Sequence, residues 1–487
     1  MLNAFDTVVV IVSFLLILRL GYYFAKTSHD MDSFYKANRS LPWSLVVGTL
    51  MATWYGGAGT VGTVGYATTM GFAGFFIWSI GAHAVRFPLA LWVAPRISVK
   101  AKGTIPELLR LNYGKKAAVL GSIIIVVSCL SIAEVAAIGY VGASAWNVDK
   151  LVLAIIAVGI AVAITCMGGL MGLAVTDMIF FFLMVVSVAA VFPAMFFGVG
   201  GFDGIYAALE QPAPEMLTAL GGIPFFKAAV LIILCINLYK DPAFYQRFAA
   251  ANSPKTGKRA MLLCFSIFLS FDVVTITTGM IIRTVDPGLT IQPEVNYVSM
   301  VLANLPQGLR GLYIVGMFGA IISTLDGYYL VGGEIISNDI LYMIRGDRPL
   351  TDRVSISIAR ISAVIFGIIG LAAAFQFDMV YDAFLFLSSL GMTMLFVPMM
   401  VALMYEGRKT DVAGLSSMIV GTVIWIALKL FPITTATMGT VDPVIIGLPL
   451  SFIAFLIGNK YGTDLNAARQ LRLTGQLQPA ADHSGAL

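Results

Sequence analysis

Charge is scarce in this chain: lysine and arginine number 30 and aspartate and glutamate 26 among 487 residues, or 11% against 59% hydrophobic. An ordinary soluble enzyme carries about 25% charged residues, so that class is excluded. The net charge of +4 is small, and the bases sit in short loops between apolar runs, which points to membrane topology and not to nucleic acid. Cysteine is also sparse. Cys129, Cys166, Cys235 and Cys264 all lie in apolar runs without CxxC or metal spacing and read as small core residues. The three histidines, His29, His83 and His483, are too scattered to make a metal site. Lys255-Thr256-Gly257-Lys258-Arg259 lacks the earlier Gly and the final Ser/Thr of a phosphate loop, so no nucleotide site is expected. The first apolar run has no basic n-region and no A-x-A site, and is expected to stay as a span and not be cleaved.

Long apolar runs are what the chain does have, with a mean hydropathy of +0.90. Runs able to cross a bilayer fall at about 5–25, 43–66, 71–95, 117–146, 151–167, 172–198, 223–245, 260–284, 308–342, 354–375, 379–405, 412–431 and 443–459. These thirteen predict an all-α integral membrane protein, a single transmembrane domain over 1–462 with a polar cytoplasmic tail at 463–487. An odd number puts the termini on opposite sides. Basic loops (Lys26, Lys36 and Arg39; Arg96, Lys100, Lys102, Arg110, Lys115 and Lys116; Arg247, Lys255, Lys258 and Arg259; Arg345, Arg348 and Arg353; Arg408 and Lys409) alternate with loops nearly free of base. The positive-inside rule then places the N-terminus outside and the C-terminus in the cytoplasm, in a plasma membrane or, for a Gram-negative bacterium, the inner membrane.

Gly319-Ala320-Ile321-Ile322-Ser323-Thr324-Leu325-Asp326-Gly327 stands in the middle of one run. At about 100° per residue, Ala320, Ser323 and Thr324 share a helix face, so two hydroxyls and a carbonyl converge inside the membrane. Oxygen-only ligands suit Na+ or another alkali ion. The competing explanation is that the hydroxyls bond back to the i−4 carbonyl or hold two helices together. Against it stands Asp326, an acid costing roughly 2.5–3.5 kcal/mol at mid-bilayer, which needs a partner or an ion.

Two runs are interrupted. One contains Thr53-Trp54-Tyr55-Gly56-Gly57-Ala58-Gly59-Thr60; the other ends in Asn237-Leu238-Tyr239-Lys240-Asp241-Pro242. Glycines weaken a helix by roughly 1 kcal/mol each, and Pro removes a backbone donor. With 5–25 set aside as an extra helix, these breaks open two five-helix groups, 43–198 and 223–405, followed by helices at 412–459. Paired breaks point to an inverted-repeat transporter with its site where they meet.

Several ordered pieces over residues 33–345 resemble the sodium/solute symporter family. They are Ser33-Phe34-Tyr35-Lys36-Ala37-Asn38-Arg39-Ser40-Leu41-Pro42-Trp43; Thr104-Ile105-Pro106-Glu107-Leu108; Gly168-Gly169-Leu170 with Thr176-Asp177; Tyr245-Gln246-Arg247 with Ala249-Ala250; and Ala320-x-x-Ser323-Thr324. Gly172, Val175 and Phe180 depart from the family pattern. The resemblance implies a LeuT-like fold, two inverted five-helix repeats with additional helices, and Na+ as coupling ion. It also implies a sodium site from the carbonyls of Ala52, Tyr55 and Ala320 and the hydroxyls of Ser323 and Thr324, with Asp177 near its inner exit or at a second ion site. Asp326 and Gly327 stand where some members have two serines of a second sodium site; an Asp there either strengthens that site or converts it to a proton site.

The solute is expected where the two breaks meet, lined by Trp54, Gly56, Gly57 and Gly59 from one and Tyr239 and Asp241 from the other. Glu134 and Asp272 are acids well inside runs, either functional or paired with Arg86, Lys227 or Arg360. If both face the pocket, a cationic or zwitterionic small organic solute is favoured. Phe75-Phe76-Ile77-Trp78 has no acid where sugar-transporting relatives carry one, which disfavours such a sugar. The expectation is a sodium-coupled symporter working by alternating access and not an enzyme. A transporter-like sensor, a proton-coupled symporter of the same fold and a channel are the alternatives.

Overall fold

The computed structural model describes residues 1–25, 30–100, 103–435 and 439–465. Lys26, His29, Lys102, His483 and the predicted tail from residue 466 onward lie outside them. Among the described residues nine helices are long and apolar enough to cross a membrane, and the bent pair Phe225–Lys240 and Pro242–Ala250 makes a tenth. Trp43–Trp54 and Pro443–Gly458 are shorter apolar helices, so length and composition alone do not reproduce the expected thirteen. Lys150–Gly198 runs 49 residues as one helix, about 74 Å at 1.5 Å per residue and far beyond one crossing of about 30 Å. Its division falls at Gly169, whose φ of 54° suits glycine and where a Cβ would sit 2.8 Å from the Phe34 carbonyl oxygen. Two of the expected runs are therefore the arms of this one element.

Helix starts follow local chemistry. Asp241 accepts from the N–H groups of Ala243 and Phe244, with Pro242 at the first helical position; Ser253 and Pro254 start the helix to Val285 in the same way. Each pairs a side-chain acceptor with a proline that has no N–H to lose.

Burial separates the centre from the lipid face. From Tyr313 to Glu334 every residue of the Leu309–Glu334 helix except Tyr328 is buried, the signature of a helix enclosed on all sides. It packs against Lys150–Gly198 and against Trp43–Trp54. The outer helices instead expose large apolar residues, among them Phe5, Val8, Ile11, Leu15 and Leu16 on Ala4–Ala25 and Ile361, Ile365 and Ile368 on Asp352–Ala374. A surface of this kind needs hydrocarbon as its solvent.

Both interrupted runs are broken helices. The first passes from Trp43–Trp54 through Tyr55 (φ −90°, ψ 40°) into wide π-type turns at Ala58–Gly62 and on to Thr63–Met70. The second tightens into 3-10 turns at Cys235–Lys240 and bends by 44° before Pro242. Main chain joins the two: Leu41 N–H donates to Ala250 O (3.2 Å) and Asn252 N–H to Leu41 O (3.1 Å), linking the approach to the first broken helix with the end of the second.

Candidate functional site

The break in the first helix lies against the middle of Leu309–Glu334. Thr324 Oγ1 reaches three carbonyl oxygens, those of Ala320 (3.1 Å), Thr53 (3.1 Å) and Ala52 (3.4 Å). A hydroxyl has one proton to give, so at least two of these oxygens remain without a donor from it. Ser323 Oγ, buried on the same face, has no hydrogen-bond partner among the described residues. Oxygens of Ala52, Thr53, Ala320 and Thr324 thus come together, with Ser323 lying toward Asp177, while the Tyr55 side chain turns away and its hydroxyl donates to Phe268 O (2.9 Å) or Asp272 Oδ1 (2.8 Å). Hydroxyl and carbonyl oxygens of this kind are the donor set that fits an alkali cation.

Glycine at the break is required by close approach. A Cβ on Gly56 would land on Thr324 Oγ1 and 2.6 Å from Glu134 Oε2; one on Gly57 would meet Ala137 Cβ.

One helical turn before Ala52, Thr49 Oγ1 donates to Asp177 Oδ2 and accepts from Arg247 Nε (2.8 Å). Arg247 Nη2 pairs with Asp177 Oδ2 at 3.5 Å, both side chains fully buried. Arg247 therefore does not belong with the loop bases of the topology argument. Sequence position suggested a loop because the apolar run ends at about Tyr245; burial of the guanidinium in the Pro242–Ala250 helix signals a partner instead. A Cβ on Gly327 would lie 2.7 Å from Arg247 Nη2, so the guanidinium crosses the central helix next to Asp326. Asp326 is fully buried, and neither carboxylate oxygen has a hydrogen-bond partner among the described residues. A buried carboxylate in that condition calls for a cation or a proton, and the Arg247 guanidinium beside it supplies part of that charge while pairing with Asp177.

A cavity of about 60 Å³ lies between the two breaks, lined by residues that include Trp54, Arg86, Glu134, Asn237, Asp241 and Tyr328. Of the predicted solute residues, Trp54, Glu134 and Asp241 line it. Gly56, Gly57 and Gly59 shape the break behind Glu134 but are not on the wall. Tyr239 is placed elsewhere, donating to Val85 O (2.9 Å). Asp272 is also off the cavity: Oδ2 is 3.0 Å from His83 Nε2, and Oδ1 accepts from Tyr55. Neither acid pairs with Arg86, Lys227 or Arg360. Glu134 accepts from the backbone N–H groups of Gly57 and Ala58, the latter at 3.2 Å, and so sits at the N-terminal end of the second half of the broken helix. The condition for favouring a cationic solute, both acids facing the pocket, is not met. Sequence reasoning treated Arg86 only as a partner for acids and missed His83, Thr49 and Tyr328; a lone arginine inside an apolar run was the available signal.

Known proteins match both the chain and its fold. A sodium/pantothenate symporter of Haemophilus influenzae is 24% identical over 471 residues, covering 93% of this chain and 95% of the relative. The high-affinity proline transporter of Bacillus subtilis is 23% identical over 424 residues, covering 84% and 89%. Among solved structures, a Na+-coupled sialic acid symporter in a substrate-bound outward-open state superposes with a TM-score of 0.79 at 18% identity, covering 95% of this chain and 99% of that one. MhsT in complex with L-phenylalanine gives 0.51 at 12% identity, covering 85% and 97%. The helical fold is LeuT-like. Residues 34–421 match the family model described as the sodium:solute symporter family, and the chain is a member of that family.

Proposed function

We propose that this protein is a sodium-coupled symporter that imports a small organic solute by alternating access, with Na+ held by the carbonyls of Ala52, Tyr55 and Ala320 and the hydroxyls of Ser323 and Thr324. The observation that carries the reading is the approach of the Ala52 and Ala320 carbonyls, with that of Thr53, to the single Thr324 hydroxyl; the Tyr55 carbonyl and the Ser323 hydroxyl enter from the family resemblance. Relatives named as sodium symporters of pantothenate and as a proline transporter support a small organic solute. The repeats run over 43–198 and 223–405, with 5–25 and 412–459 outside them. The N-terminus faces outward, on the bias of the basic loops other than Arg247.

One Na+ crossing 100 mV contributes about 2.3 kcal/mol and a tenfold gradient about 1.4, enough for roughly 500-fold accumulation. Coupling requires that Na+ favour the outward-open state and complete the solute pocket, so that ion and solute stabilise each other. Asp177 assists the ion's departure. Asp326, with both oxygens unpartnered, supports a second cation or a proton at this level of the bundle.

Thermal unfolding of the purified protein in NaCl and KCl at matched ionic strength tests the assignment. Na+ at ten times its Kd should stabilise the wild type by about 1.4 kcal/mol relative to K+, and Ser323→Ala or Thr324→Ala should remove the difference. Equal stability in the two salts would reject the sodium site and turn attention to Asp326→Asn across a pH series.

A further inference from the structure

Arg86 stands in the wall of the cavity between the two breaks with only 1% of its surface exposed. Its Nε donates to Cys235 O at 3.1 Å, and its guanidinium carbon lies 4.2 Å from the centroid of Trp54 and 5.4 Å from that of Trp78. These contacts fix the plane of the fork. They do not neutralise it: Arg86 has no ion pair among the described residues, and Nη2 has no hydrogen-bond partner.

The acids nearby are engaged elsewhere. Glu134 takes the Gly57 and Ala58 N–H groups; Asp241 Oδ1 takes those of Ala243 (2.9 Å) and Phe244 (3.0 Å), and its Oδ2 accepts from Tyr328. The wall thus carries one guanidinium and two carboxylates; the acids' oxygens are met by N–H and O–H donors, and among the described residues Arg86 Nη2 is a donor left without an acceptor. A buried guanidinium with free N–H groups is costly, and the group that satisfies its planar fork with two parallel hydrogen bonds is a carboxylate.

Building on the symport reading, we propose that the solute is a small carboxylate whose carboxyl group docks on Arg86 over the Trp54 ring. Size follows from the space. The cavity of about 60 Å³ adjoins another of about 50 Å³ that shares Glu134, Asn237, Asp241 and Tyr328, a confined space in which a small molecule fits beside Arg86. Buried Asn237 Oδ1 also lacks a partner and offers an acceptor to a hydroxyl or amine carried beside the carboxyl group.

The test uses the full-length protein in detergent and in liposomes with acetate, L-lactate, L-proline, glucose and choline. At least one of the three carboxylates should raise the melting temperature in NaCl and enter liposomes with Na+, while glucose and choline do neither. Arg86→Gln should weaken the carboxylate effect at least tenfold while retaining the wild-type Na+ shift, which shows that the variant is folded. Arg86→Lys should recover part of it, because an ammonium keeps the charge without the fork.

Three results would overturn the proposal: undiminished carboxylate uptake in Arg86→Gln, saturable Na+-driven uptake of glucose or choline, or no effect of any carboxylate alongside an intact Na+ shift. Loss of the Na+ shift in the wild type would reject the symport reading, and carboxylate stabilisation would then still report on Arg86.

Discussion

Thr324 Oγ1 lies 3.4 Å from the Ala52 carbonyl oxygen although 272 positions separate the two residues in the chain. The contact joins the end of the first half of the first broken helix to the middle of the most enclosed one, so the candidate ion site lies where these two elements meet.

That closeness makes Gly56 sensitive to a single methyl group. Gly56→Ala should destabilise by about 1–3 kcal/mol through overpacking against Thr324 and Glu134 and should abolish the Na+-specific shift in melting. Gly159→Ala is the control, since a Cβ there meets nothing within 4 Å; it should be neutral or stabilise by about 0.5–1 kcal/mol.

The Asp177–Arg247 pair is fully buried, and removing one partner strands the other. Arg247→Met should cost about 3–5 kcal/mol in denaturant unfolding, and Asp177→Asn combined with Arg247→Met clearly less than the sum of the single changes. Strict additivity would show that the two side chains do not act as a pair.

Glu134 serves the main chain at the break. Glu134→Ala leaves two N–H groups without their acceptor and should lower stability by about 0.5–2 kcal/mol, while Glu134→Gln, which keeps one acceptor oxygen, should lose less. Equal losses would mean that the charge, and not the hydrogen bonds, matters there.

Glu294, on the Pro293–Asn304 helix outside the spans, is buried, and its carboxyl accepts from Val380 N–H (3.1 Å) and Gln292 Nε2 (2.9 Å). Burial pushes its pKa above the usual 4.5 more strongly than those hydrogen bonds lower it. The folded state therefore holds this proton to higher pH than the unfolded state. Its stabilising effect is complete below the unfolded value and is lost as pH rises through the folded one. Melting temperatures across that range should fall more steeply with pH for the wild type than for Glu294→Gln; parallel curves would exclude Glu294 as the source.

Local chemistry in the sequence revealed one kind of feature and hid another. The Gly-rich and Asp-Pro breaks, the Gly169 division and the shared face of Ala320, Ser323 and Thr324 depend on residues within a turn or two of one another, the first two readable from Gly and Pro and the last from helical period. Partners brought from far along the chain are not. Asp272 meets His83 across 189 positions, Glu134 meets Gly57 across 77, and Arg247 meets Asp177 across 70. Each acid could be recognised as needing something, but which group supplied it depended on packing. Arg86 is the converse case, a cation whose expected acids turned out to be engaged with backbone N–H groups and a histidine.

The main-chain bridge at Leu41 gives the bundle a mechanical linkage. Because Leu41 both donates to Ala250 and accepts from Asn252, the base of one broken helix is yoked to the foot of the other by bonds that ordinary side-chain replacement cannot delete. With Na+ held at Ala52 as proposed, the ion bears on one arm of this linkage, and the Asp241 rim of the cavity lies on the other. On that proposal the linkage is expected to oppose slippage, in which the ion crosses without its cargo.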